Sequence, residues 1–413
     1  PVRVVRLDAP RGTTAQRAEA ACRAAGCPVD DFTGTLPAGD VLVDALFGIG
    51  LTRAPQGDAA RLVEAMNAFD GDTLAIDVPS GVDADTGHVP GAAVRATRTL
   101  QMLAAHRGLA TGAALDHVGE CAVATLAIDG DGVQPAAEAL RSPDLSRWLH
   151  PRPRNSHKGL YGHVLCIGGD HGSGGAIALC AEATLRTGAG LVGVATRAQH
   201  VAPLLARRPE LMPRAIDDSG DFDEVVARAT LLAVGPGLGQ GDWGRELLAR
   251  ALAADLSLVL DADALNLLAK QPRTLRADTV LTPHPGEAAR LLGSDTRTVQ
   301  AHRFAAADAL VARFGCVVVL KGAGTIVAAP DAVPRIICAG NAGMASGGMG
   351  DLLTGVIAAL RAQGFSPFNA ASVGALLHAA AGDVAARNGG ERGLLASDLL
   401  PALHRLANPG VSA

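Results

Sequence analysis

Aromatic side chains are scarce in this 413-residue chain: eight Phe, two Trp and one Tyr make up 3%. That leaves little material for large stacking surfaces, whereas 50 glycines suit tight backbone turns around a ligand. Positive charge is not in excess. The formal net charge is −5, so no basic field waits for nucleic acid. No apolar run approaches the ~20 residues needed to span a bilayer, and the first residues, PVRVVRLDAP, lack the apolar stretch of a signal peptide. No membrane partner is implied, and a cytoplasmic protein is expected. Paired cysteines are missing too: the seven are odd in number and none forms CxxC. Cys166, Cys180, Cys316 and Cys338 sit among apolar neighbours and read as buried thiols in a reducing compartment. Lysine is nearly absent, with only Lys158, Lys270 and Lys321 among 36 cations. Surface cations here are almost always Arg, so a Lys beside glycines, as in NSHKG and VVVLKGAG, is less readily dismissed as ordinary surface.

What is present is apolar and alternating. Hydrophobic residues make up 48% and charged ones 19%, enough for sizeable cores, and the length implies two domains. Short aliphatic runs alternate with glycine turns and helix-period segments, which predicts α/β architecture with parallel sheets. The first third carries VLVDALFGIG, DAARLVEAMNAF, LAIDVPSG and CAVATLAI, a small sheet of three or four strands that appears without its first unit. Residues 129–152 replace periodic apolar content with Gly, Pro and charge, so the boundary is expected near Pro135 to Pro143, between domains at 1–138 and 144–413. Beyond it follow HVLCIGG, LVGVAT, LLAVGPGLG, SLVLDADAL, TVLTPHPGE and VVVLKGAGT, then mostly helices.

The chemistry gathers where strands end. In NAGMASGGMGDLLTGVIAAL, glycines 347, 348 and 350 stand directly before an apolar-faced helix, let the chain turn at positive φ, and leave free amides that suit a phosphate. Asp351 in its first turn reads either as a capping carboxylate or as a general base beside that phosphate. VVVLKGAGT ends a strand at Lys321 and turns through Gly322, Ala323, Gly324 and Thr325, reading as a nucleotide site in preference to a solvated hairpin. His284 lies between two prolines at the end of TVLT, a site position for an imidazole. Asp261 and Asp263 in DADALN could hold magnesium through water or cap the next helix; both readings stand. A Ser/His/Asp elbow, HExxH and a GxxxxGK[ST] loop are all missing.

Taken together, HKGLYGHVLCIGG, GPGLG, DADALN, TPHPGEAARLL, VVVLKGAGT, GNAGMASGGMGD and GLLASDLL resemble the ADP-dependent NAD(P)H-hydrate dehydratases, across residues 145–410. DALFGIGLTR and AIDVPSGVDADTG resemble the NAD(P)H-hydrate epimerase domain. The resemblance implies a ribokinase-like C-terminal domain preceded by a partial Rossmann-like three-layer α/β domain. It implies that hydrated NADH or NADPH touches Ala176, Gly237, His284 and Asp351, and that ADP lies against Lys321, Gly322, Ala323, Gly324, Thr325 and Gly350. Asp351 would be catalytic, with Mg2+ accompanying the nucleotide. In the first domain it implies potassium at Asp44 and Ser80, and substrate at Gly48, Ile49, Gly50, Leu51, Thr52, Arg53 and Asp77. An upstream NNGGDG loop is not in the chain, and Arg107 takes a position usually held by lysine, so epimerase activity is expected to be impaired. A homo-oligomer is expected. Two other readings compete: a ribokinase-type small-molecule kinase, which leaves the first third unexplained, and a nucleotide sensor without turnover, which leaves Asp351 and His284 idle.

Overall fold

The computed structural model describes residues 2–51, 53–128, 130, 132–217 and 222–408. The chain divides into two compact units, 1–134 and 135–413. In the first unit the elements run β1 (Val4–Arg6), α1 (Thr13–Ala24), β2 (Val29–Asp31), β3 (Val41–Asp44), α2 (Asp58–Asn67), β4 (Asp72–Ile76), β5 (Arg98–Met102) and β6 (Glu120–Ala124). Strands β3-β4-β5-β6 form a parallel sheet in sequence order, and β1 and β2 pair separately. Strand alternation is plain in β3: Leu42 and Asp44 are buried, while Val41 and Val43 face outward. Leu42 meets Leu62, Val63 and Met66 of α2 in a small apolar cluster.

The second unit continues with β7 (Glu138–Leu140), β8 (His163–Ile167), α3 (Gly174–Thr187), β9 (Leu191–Thr196), α4 (Ala198–Arg207), β10 (Met212–Ala215), α5 (Phe222–Val226), β11 (Leu231–Val234), α6 (Asp242–Ala253), β12 (Ser257–Leu260) and α7 (Ala262–Lys270). Then come β13 (Val280–Leu281), α8 (Pro285–Leu292), α9 (Thr296–Ala301), α10 (Arg303–Phe314), β14 (Val317–Leu320), β15 (Ile326–Ala328), β16 (Arg335–Ile337), α11 (Met349–Ala362), α12 (Pro367–Gly389) and α13 (Leu399–Leu406). They build a ten-stranded sheet in the order β10-β9-β8-β11-β12-β13-β14-β15-β16-β7. From β10 to β14 every pairing is parallel. Central strands such as LLAV and VVVL are buried throughout, as a sheet covered by helices on both faces requires. Strand β7 lies in the stretch that has no apolar period. Three residues are too few to show one, and its place comes from pairing with β16 and from the Arg335–Glu138 ion pair at 2.8 Å.

Helix α11 is buried along Leu352, Val356, Ile357 and Leu360, each worth ~1.5–3 kcal/mol relative to exposure. Gly355 lets it approach α3 closely: a Cβ there would lie 2.1 Å from the Cys180 carbonyl oxygen. Among the described residues no helix is long and apolar enough to cross a membrane.

Candidate active site

Parallel strands β8 to β14 all end on one edge, the position where open α/β sheets bind ligands. Over that edge stands the N-terminus of α11. Gly348 caps it at φ 90°, a conformation that favours glycine, and a Cβ there would make the end of the Leu179 side chain shift, its Cδ1 lying only 2.6 Å away. Gly350 is different. It belongs to the first helical turn rather than to the preceding bend, and its bareness makes room for Lys321, whose Nζ lies 3.1 Å from where a Cβ would sit.

Asp351 makes no capping bond to this helix; Gly348 occupies the cap and no side chain serves it. Burial, and next the negative charge of Asp261, push the Asp351 carboxyl up to about 7. A carboxylate at that value is half protonated near neutrality and is matched to general-base work.

Beneath it lies a charge cluster drawn from three strand ends and α11. Lys321 Nζ donates to Asp261 Oδ1 at 2.6 Å and stands 3.9 Å from Glu287 Oε2. The Thr354 hydroxyl donates to Asp261 Oδ2 at 2.8 Å. Burial alone would raise the Asp261 pKa, but Lys321 overrides it and holds it below the ordinary value. Burial likewise opposes the Lys321 ammonium, and Asp261 and Glu287 more than offset it. Burial outweighs the more distant Lys321 at Glu287 and pushes its carboxyl up to about 7. His378 on α12, buried and pushed down to about 4, adds no charge at neutral pH.

His284 is itself the N-cap of α8. Its Nδ1 accepts from the amides of Gly286 at 3.0 Å and Glu287 at 3.4 Å, while Glu287 Oε2 accepts from the His284 amide at 2.8 Å. Backbone amides only donate, so Nδ1 must carry the lone pair and the neutral ring keeps its proton on Nε2. Burial, then Lys321 and Arg290, lower the ring's pKa further. His284 is therefore a hydrogen-bond donor on a half-exposed side chain, its Nε2 also 3.5 Å from Glu287 Oε1, and not a base.

Gly237, at φ 60°, and Ala176 adjoin: a Cβ on Gly237 would lie 3.3 Å from Ala176 Cβ and 2.6 Å from the Ser173 oxygen. The Gly322–Thr325 turn is closed by Thr325 Oγ1 donating to the Gly322 carbonyl at 2.9 Å. Buried Arg303 underlies it, donating to the Leu320 and Lys321 carbonyls at 3.3 Å. Of the pair left open in sequence, Asp261 and Asp263, neither side chain caps α7. Asp261 binds Lys321 and Thr354, and Asp263 accepts from the Gly239 amide at 2.9 Å. Among the described residues no group of three His, Cys, Asp or Glu side chains converges as a metal cage.

In the first unit, Asp44 and Ser80 meet. Ser80 Oγ donates to Asp44 Oδ1 at 2.6 Å and its amide to Oδ2 at 2.7 Å. Burial pushes the Asp44 carboxyl above its ordinary value, and among the described residues no cation pairs with it. Ser80 Oγ also accepts from the Phe47 amide at 2.8 Å, which anchors the start of the segment Gly48, Ile49, Gly50, Leu51 and Arg53. Thr52 lies outside the described residues. Asp77, at φ 69°, bonds His106 Nε2 at 2.8 Å and the Met102 amide at 3.0 Å. Arg107 Nε donates to the Asp85 carbonyl at 3.1 Å.

A family model described as NAD(P)H-hydrate dehydratase matches residues 164–405, the span that holds this edge. The chain belongs to that family. A second model, described as YjeF-related protein N-terminus, matches residues 2–108. The bifunctional NAD(P)H-hydrate repair enzyme Nnr of Escherichia coli (strain K12) is 47% identical over 90% of this chain and 72% of its own length. That of Coxiella burnetii is 45% identical over 97% and 82%. Among solved structures, an ADP/ATP-dependent NAD(P)H-hydrate dehydratase from Bacillus subtilis, co-crystallized with ATP/Mg2+, is similar at TM-score 0.59 and 28% identity, over 65% of this chain and 97% of that one. A ribokinase-like superfamily protein from Enterococcus faecalis gives TM-score 0.62 and 30% identity, over 68% and 98%. In this member of the dehydratase family, the sequence motifs singled out Asp351, Lys321 and His284, which the structure brings to one sheet edge, but not the neighbouring Glu287, Thr354 or Arg303. Thr354 is one helical turn beyond Gly350, a spacing that could have found it.

Proposed function

We propose that the second unit dehydrates (S)-NAD(P)H hydrate with ADP, releasing AMP and phosphate, and that the first unit is built for interconversion of the R and S hydrates. The observation that carries the reading is Asp351: a carboxyl near 7, at a helix N-terminus suited to phosphate, beside a lysine held by Asp261. In this reading the hydrated ring rests against Gly237 and Ala176, with His284 Nε2–H donating to it. The diphosphate of ADP meets Lys321, the Gly322–Thr325 turn and the open backbone at Gly350.

The steps balance as follows. Asp351 takes the proton of the ring hydroxyl as that oxygen attacks the outer phosphorus of ADP, and the bond from that phosphorus to the bridging oxygen breaks, freeing AMP. The ring nitrogen's lone pair then expels phosphate with its bonding electrons, and loss of a proton from the adjacent carbon restores the double bond. The sum is hydrate plus ADP giving NAD(P)H, AMP and phosphate. Lys321 supplies fixed positive charge where phosphoryl charge develops, held by Asp261, which the Thr354 hydroxyl in turn positions.

Asp261 and Asp263 are engaged by protein donors, so magnesium in this reading travels on the nucleotide's phosphates rather than in a protein cage. In the first unit Asp44 and Ser80 fit a potassium ion: a buried carboxylate and hydroxyl, with no protein cation paired to the carboxylate among the described residues. Incubating the chain with hydrated NADH and ADP tests the proposal. Return of dihydronicotinamide absorbance with stoichiometric AMP supports it, and ADP consumption yielding a stable phosphorylated product refutes it.

A further inference from the structure

Beside the proposed ring site lies a cleft of about 530 Å³ lined by Gln240, Asn266, Ala269, Lys270 and Arg290. Lys270 is one of the three lysines, and the dehydration reading gives it no task. Both cations in the cleft are held by neutral side chains. Lys270 Nζ donates to Gln240 Oε1 at 2.8 Å, and Arg290 Nε donates to Asn266 Oδ1 at 2.8 Å. Among the described residues neither forms an ion pair with a carboxylate, whereas arginines elsewhere, such as 197, 207, 276 and 335, do. The nearest acid tied to the cleft is Asp263, which accepts from the Gly239 amide, Gln240 Nε2 and Asn266 Nδ2 and so orients the two amide side chains.

The cleft also adjoins residues already assigned to the hydrated ring. Gln240 follows Gly237 by three positions. On the other side, Arg290 Nη1 lies 3.7 Å from where a Cβ on Gly286 would sit, within the cap that holds the His284 ring. Two unneutralised cations, presented on amide props next to a ring site, are suited to an anion a few bonds away from that ring.

We infer that this cleft is the subsite for the diphosphate bridge of the hydrated dinucleotide, with Lys270 and Arg290 as its ligands. The inference rests on the proposed dehydration, in which the hydrated dinucleotide and ADP occupy separate places. The bridge is common to NADH and NADPH hydrates, so the subsite does not discriminate between them.

Lys270→Ala, Arg290→Ala and the double variant test it. Both residues are exposed, so folding is retained. Each single change is expected to raise KM for either hydrate about threefold and the double change about tenfold, with kcat at saturation and KM for ADP unaltered. The effect shrinks as salt rises, because exposed charges are screened. Direct titration with NADPH, the reaction product, reads the same subsite without turnover, and the double variant is expected to bind it about tenfold more weakly. Unchanged hydrate KM and NADPH affinity, or a rise confined to ADP, overturns the assignment. Failure of the unmodified chain to restore NADH from its hydrate overturns the dehydration reading instead, while the titration still decides whether the cleft takes a dinucleotide.

Discussion

Replacing Asp351 by Asn should make the protein more stable and nearly inactive at once. In the folded chain, burial and Asp261 move this carboxyl from 3.8 to about 7, so ionising it costs free energy that the unfolded chain does not pay. A group whose folded pKa is raised contributes no penalty below its unfolded value. The penalty grows as pH climbs from about 4 and levels off above about 7. At ~1.4 kcal/mol for each pKa unit the ceiling is ~4 kcal/mol, and partial exposure of the carboxyl reduces this to ~2 kcal/mol. Asparagine has the same shape and no charge, so Asp351→Asn should unfold at higher urea than the unmodified chain at pH 8, with the gap closing at pH 4. Turnover with hydrated NADH and ADP should fall ~10²–10⁴-fold, the range for removing a general base. In the unmodified enzyme kcat/KM should rise with pH along a limb centred near 7. A variant that is less stable at pH 8 would refute the burial strain, and one that keeps most of its turnover would refute the role as base.

Other outcomes follow from single contacts. Gly350→Ala places a Cβ 3.1 Å from Lys321 Nζ, so KM for ADP should rise several-fold while the helix, gaining ~1 kcal/mol of propensity, stays folded; unchanged ADP kinetics would show that Lys321 yields freely. His284→Asn keeps an acceptor for the α8 amides but loses the distal N–H, so hydrate KM should rise ~3–10-fold with the pH limb unmoved, whereas His284→Ala should also lose ~1 kcal/mol of stability to urea. If His284→Asn shifts the pH limb, the ring is a base after all. Glu287→Gln removes a carboxyl that titrates near 7 next to Lys321, and should shift the limb without abolishing turnover; an unmoved limb would show that Glu287 is not felt at Asp351. In the first unit, potassium should raise the urea midpoint more than choline does, and Asp44→Asn should erase the difference; equal midpoints in the two salts would remove potassium from this site.

Much of this protein is legible in one dimension because strand ends carry their own markers. Aliphatic runs such as VVVL and LLAV mark buried parallel strands, and glycines after them mark where backbone must turn at positive φ, as Gly237 and Gly322 do. Asp351, Lys321 and His284 could be singled out because each directly follows such a run or turn. Tertiary structure alone decided the rest. Glycine 350 looks like a turn residue in the string GGMGD, yet it is helical and small because a lysine 29 residues earlier passes beside it. The Asp261 side chain does not cap α7, because Lys321 and Thr354, 60 and 93 residues away, both reach it. The values near 7 at Asp351 and Glu287 are likewise invisible in sequence: they arise from burial and from charges that only the folded sheet edge brings within a few ångströms of each other.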